Sequence, residues 1–78
     1  RTNSSIVNLL GAPEFSGNAF YEGLEEVLQL DNVFLHLYGK EQTKPGRKMG
    51  HATILSNDVS ELIYLANKIK NTLKIASK

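Results

Sequence analysis

His36-Leu37-Tyr38-Gly39-Lys40-Glu41-Gln42-Thr43-Lys44-Pro45-Gly46-Arg47-Lys48-Met49-Gly50-His51 decides the fold, because it joins two apolar runs through a long glycine-rich loop. Upstream of the loop, Val33 to Tyr38 alternates, with Val33, Leu35 and Leu37 on one side and Phe34, His36 and Tyr38 on the other. That period of two is a strand. Bulky groups on both sides predict a central one. Pro45-Gly46 supplies a turn, and His51 to Leu55 reads as the returning strand. Two strands joined in this way pair antiparallel.

Outward from this pair, Ser5 to Leu10 is a short apolar run rich in strand formers, stopped by Gly11-Ala12-Pro13. Residues 1–5 are polar and aperiodic and are expected to be a linker or frayed end, with the domain proper running over 6–78. Pro13 to Asn18 reads as a loop. From Ala19, the residues Phe20, Tyr21, Leu24, Val27 and Leu28 recur at helical spacing, which predicts a helix ending near Leu30 that Ser16 or Asn18 would cap and Gly23 would weaken. Asp58 is an N-cap with Glu61 three residues on, a capping box. It opens a second helix marked by Val59, Leu62, Ile63, Ala66, Ile69 and Leu73, with Lys68, Lys70 and Lys74 toward its end. The expected class is α+β, a small mostly antiparallel sheet with two helices on one face.

The bulk composition narrows the chemistry. Seventy-eight residues make one small domain, which buries only about 60–65% of its unfolded surface. No cysteine is present, so disulfide scaffolds, thiolate metal sites and cysteine nucleophiles are excluded, and the composition fits a cytoplasmic protein. No apolar run has bilayer length and no secretory pattern is present. The net charge is +1, yet Lys40 to Lys48 holds four cations and one anion. Glycines admit close backbone approach, a turn can form an anion-binding concavity, and Arg47 offers a planar fork to an oxyanion beside the point charge of Lys40. A plain solvated loop is the alternative. Nucleic-acid binding would want interleaved aromatics and a wider basic field.

At this point the residues resemble a known family. Val7-Asn8-Leu9-Leu10-Gly11, His36-Leu37-Tyr38-Gly39-Lys40 and Pro45-Gly46-Arg47-Lys48-Met49-Gly50-His51 look like the C-terminal part of carboxyaminoimidazole ribonucleotide synthetases, with order and spacing kept over residues 6–55. The resemblance implies the terminal domain of a three-domain ATP-grasp ligase of purine biosynthesis. Such a ligase carboxylates 5-aminoimidazole ribonucleotide with ATP and bicarbonate by way of carboxyphosphate. It implies that ATP and magnesium ions are gripped by the N-terminal and central domains, that this domain carries no catalytic residue and no cofactor of its own, and that the parent can pair as a homodimer. It assigns Lys40 and Arg47 to the substrate phosphate. One departure is Lys44, where the family usually has arginine, so the charge is kept and the planar fork lost. The start at Arg1 fits a piece of a larger protein. A free-standing anion-binding module and a domain of another ATP-grasp carboxylating enzyme are the alternative readings.

The remaining polar residues have ordinary readings beside functional ones. Asn8, Tyr38, Lys48 and His51 are candidate substrate or loop contacts. His36 reads as a packed core histidine, and His51 as an anchor for the base of the loop. The two histidines stand fifteen residues apart with no third ligand type near them, so no metal site is expected. Glu25 and Glu26 are adjacent on an expected helix and point apart, so they do not form a carboxylate pair. Met49 is expected in the core.

Overall fold

In a computed structural model, which describes residues 3–77, the elements in chain order are β1 (Asn3–Leu10), β2 (Gly17–Glu22), α1 (Leu24–Leu28), β3 (Val33–Leu37), β4 (Gln42–Thr43), β5 (Lys48–Ser56), α2 (Val59–Thr72) and β6 (Lys74–Ser77). They form two three-stranded sheets, ordered β1-β5-β3 and β4-β2-β6, with every strand pair antiparallel. The α+β class is as expected, but the single sheet divides into two.

The first sheet is built around β5. Its Gly50, Ala52, Ile54 and Ser56 are buried while Thr53 and Leu55 are half-exposed, the period of two that a one-face-covered strand requires. β3 was expected at the centre but lies at the edge. It pairs on one side only, with Phe34 57% exposed, because β5 takes β1 on its other flank. Between Leu9↔Gly50 and Leu10↔Lys48 the register shifts, leaving Met49 as an extra residue in β5. This bulge turns Met49 fully into the core and leaves Lys48 outside. Asn3 and Ser4, expected in a linker or frayed end, instead continue β1 ahead of Ser5 and pair with Ser56 and Leu55. Main-chain pairing asks nothing of their polar side chains. Arg1 and Thr2 lie outside the described residues.

The expected helix over 19–30 is corrected. Ala19 to Glu22 belong to β2 and pair with Ser77 to Lys74 of β6, and only Leu24–Leu28 is helical. Gly23 is the break. It holds φ 80, a left-handed conformation at the N-cap of α1, and a Cβ there would collide with the carbonyl oxygen of Thr72. Phe20 and Tyr21 fit a strand as well as a helix, and the partner strand decides between them.

α2 lies across the inner face of the first sheet and buries Leu62, Leu65 and Ile69. Val59 and Ile63, expected on that face, are exposed, and Leu65 takes their place. Asp58 Oδ1 accepts from the backbone N–H and the hydroxyl of Ser60. These two bonds, the hydroxyl first, hold the Asp58 carboxyl below its ordinary range. Glu61 does not close the expected box onto Asp58. Its carboxylate accepts from Ser56 Oγ, which in turn accepts from the Asp58 N–H. Lys74 is likewise outside the helix. Leu73 is already extended, and Lys74 starts β6 with its Nζ 4.7 Å from the centre of the Phe15 ring. Ile75 and Ala76 supply the buried positions of β6 that the helical reading missed.

Candidate functional site

The cationic loop is fastened at its root by backbone bonds. Lys44 to Arg47 is a turn in which the Arg47 N–H donates to the Lys44 carbonyl at 3.0 Å, with Pro45 second and Gly46 third at φ 76. That is the type II pattern the dipeptide predicts. Gly11, at the end of β1, clamps this turn. Its N–H donates to the Arg47 carbonyl at 2.8 Å and its carbonyl accepts from the Gly46 N–H at 2.9 Å. β4 pairs with Gly17 and Asn18 of β2, so the loop is stitched to both sheets.

Within this frame Lys40 is exposed on the arm that leaves β3 and Arg47 is half-buried on the arm that enters β5. The Arg47 Nη1 donates to the carbonyl of Gln42 at 3.2 Å. The guanidinium therefore crosses from its own arm to the other, two residues from Lys40. A carbonyl partner orients the fork without neutralising its charge. Lys44 is exposed on the turn and Lys48 is exposed opposite Leu10.

Behind the loop, the outer face of the first sheet carries the remaining predicted residues. Asn8 and His36 flank His51 in register, on β1 and β3 respectively. Asn8 is exposed, so it owes no buried hydrogen bond. Tyr38 Oη lies 3.0 Å from His51 Nδ1, a contact between the two arms at their base. His36 corrects the sequence reading. It is exposed rather than packed in the core, because β3 is an edge strand whose even-numbered residues face away from α2. Its ring instead joins those of Tyr38, at 5.5 Å, and His51, at 5.1 Å between centres. This cluster escaped sequence reading, because alternation assigns each histidine a face of its own strand but not the residue that stands opposite it. Gly11 and Thr43 were also missed. Thr43 is 3% exposed and its Oγ1 has no partner among the described residues. A cleft of about 190 Å³ between β1 and α2 is walled by Val7, Leu9, Ile69, Leu73 and Ile75 with Lys70 at its rim. It offers little to an anion, and the loop remains the candidate site.

Residues 4–64 match the family described as phosphoribosylaminoimidazole carboxylase C-terminal domain. The chain belongs to this family. Among relatives, it is 43% identical over 54 residues to the N5-carboxyaminoimidazole ribonucleotide synthase of Synechocystis, covering 69% of this chain and 14% of that protein. It is 37% identical over 62 residues to the phosphoribosylaminoimidazole carboxylase of Schizosaccharomyces pombe, covering 77% of this chain and 10% of the relative. The structure is similar to crystalline N5-carboxyaminoimidazole ribonucleotide synthetase from Thermotoga maritima, with a TM-score of 0.88 and 41% identity, covering 96% of this chain and 21% of that one. The chain thus spans about a seventh of the length of the Synechocystis relative. The family match covers β1 to the first turns of α2, including the whole cationic loop. Among the described residues no helix is long and apolar enough to cross a membrane.

Proposed function

We propose that this domain is the C-terminal part of an ATP-dependent ligase of purine biosynthesis that carboxylates 5-aminoimidazole ribonucleotide with bicarbonate, and that Lys40 and Arg47 bind the phosphate of that ribonucleotide. The observation that carries the phosphate role is the reach of the Arg47 guanidinium to Gln42 on the arm of Lys40. One anion at the mouth of the loop then meets a planar fork from one side and a mobile ammonium from the other. The clamp on Gly11 and the bond between Tyr38 and His51 pre-organise the two arms, so less side-chain freedom is lost when the anion arrives. Asn8 and Lys48 stand at the same end of the sheet and are the nearest further candidates for the substrate.

In this reading the domain orients the ribonucleotide, and the chemistry is performed against it by the rest of the parent chain. ATP and magnesium ions belong to the N-terminal and central domains, and the cysteine-free chain works in the cytoplasm. Lys40 and Arg47 act by binding alone. They hold the phosphate end so that the exocyclic amine stays in line with the activated bicarbonate, which converts a two-body encounter into a positioned one.

The test uses the intact parent chain. ADP release is followed with ATP and bicarbonate, with and without the ribonucleotide, for the natural protein and Arg47→Ala. The ribonucleotide should stimulate turnover, and the variant should need roughly ten- to a hundred-fold more of it, as loss of a charge-assisted contact of about 1.5–3 kcal/mol requires. Stimulation with an unchanged requirement moves the phosphate site elsewhere. Absence of stimulation removes the ligase reading and leaves an anion-binding module.

A further inference from the structure

His36 and His51 are fifteen residues apart in sequence and directly opposite each other in the β3–β5 register. Both project from the face of the sheet turned away from α2, where His36 is exposed and His51 half-exposed. Their ring centres are 5.1 Å apart and the planes are inclined by 41°. A zinc ion lies about 2.0–2.1 Å from an imidazole nitrogen, hence about 3.2 Å from the ring centre. Two rings at a tetrahedral angle about one such ion have centres about 5.2 Å apart, and at a right angle about 4.5 Å. The observed separation falls inside this range, at its tetrahedral end, with the backbone where it is.

We propose that His36 and His51 form a two-imidazole chelate for an imidazole-preferring divalent transition ion, with zinc the best geometric match. Tyr38 is its positioning residue. The Tyr38 Oη, 3.0 Å from His51 Nδ1, engages one ring nitrogen and leaves Nε2 for the ion. In the ion-bound form His51 Nδ1–H donates to that phenol oxygen, the outer-sphere arrangement that fixes the ring of a ligating histidine. Among the described residues no group of three or more His, Cys, Asp and Glu gathers here or elsewhere. The other coordination positions therefore fall to water, which makes an open, exchangeable site and not a closed structural one. Bound there, the ion would pin the edge strand β3 to β5 at the root of the cationic loop. Neither Lys40 nor Arg47 takes part, although the site shares the Tyr38–His51 bond that steadies the two arms of the loop, so zinc binding and the phosphate role are read by separate measurements.

The experiment is a titration of the chain with zinc chloride, read by calorimetry and by the ring resonances of ¹⁵N-labelled histidine. One ion should bind per chain, and the resonances of both rings should move together over the same zinc range. His36→Ala and His51→Ala should each weaken binding by at least tenfold, and Tyr38→Phe by roughly tenfold, as loss of an outer-sphere partner does. His36 sits exposed on an edge strand, so its replacement leaves the core intact, and circular dichroism verifies this. Binding that survives His36→Ala at full affinity, or resonances of only one ring that move, would overturn the proposal. The resonance measurement needs no variant and stands if a substitution unfolds the chain.

Discussion

One methyl group at Gly11 should loosen the whole cationic loop. Gly11 is buried at the end of β1, and a Cβ built there collides with the Lys44 carbonyl oxygen and Thr43 Oγ1 and comes within 3.1 Å of the Lys44 carbonyl carbon. The obstacles are backbone and a buried side chain, so neither can swing aside. Gly11→Ala must push the turn of Lys44 to Arg47 away from β1, and the two backbone bonds that hold it, at 2.8 and 2.9 Å, are lost together. At a net value of about 0.5–1.5 kcal/mol each, the loss is about 1–3 kcal/mol, of which the stiffer unfolded chain offsets about 0.4–1 kcal/mol, leaving roughly 0.6–2 kcal/mol. A domain of this size has a total stability of about 4–12 kcal/mol. The net change should therefore be visible as a melting temperature lower by about 5–15 °C. Urea and thermal unfolding followed by circular dichroism measure it. Gly39→Ala is the control, because a Cβ there meets nothing within 4 Å and only the strain of φ 74 is added. If Gly11→Ala unfolds within about 0.5 kcal/mol of the natural chain, the close approach does not hold the loop and the clamp argument fails.

Three further outcomes follow from the packing. Ile69, wholly buried between α2 and the first sheet, should cost about 2–5 kcal/mol when cut to alanine, enough to leave much of the chain unfolded in mild urea. Gly23→Ala should be more damaging than Gly39→Ala although both hold positive φ, since only at Gly23 does the new Cβ strike backbone, the Thr72 carbonyl; paired urea melts decide the order. The lowered Asp58 pKa means that its contribution to stability is present above the ordinary carboxylate range and fades as pH falls through the lowered value. Asp58→Asn should remove that dependence, so melting curves of the two proteins should converge as the solution is acidified; a gap that widens toward low pH would contradict the cap assignment.

Much of the first sheet could be read from the chain because its strands carry their own alternation. Val33 to Leu37 needs no partner to show a period of two, and Pro45-Gly46 states its turn type locally. The second sheet was hidden for the opposite reason. Ala19 to Glu22 satisfies a helical spacing and a strand spacing equally, and Lys74 to Ser77 is too short to show any period. Each becomes a strand only because the other lies beside it, joined across more than fifty residues.

The same division applies to the site. The identity of the cationic loop, the candidacy of Lys40 and Arg47, and the capping role of Asp58 follow from residue type and local order, since charge, turn chemistry and capping act over a few residues. Which strand is central, where Gly11 presses on the turn, and the meeting of His36 with His51 were decided by tertiary structure alone. Those facts depend on register, and register is set by how three strands share one buried face, with the bulge at Met49 adding its shift only between β1 and β5. No local stretch of the chain contains that information, because it arises only when distant segments compete for the same core.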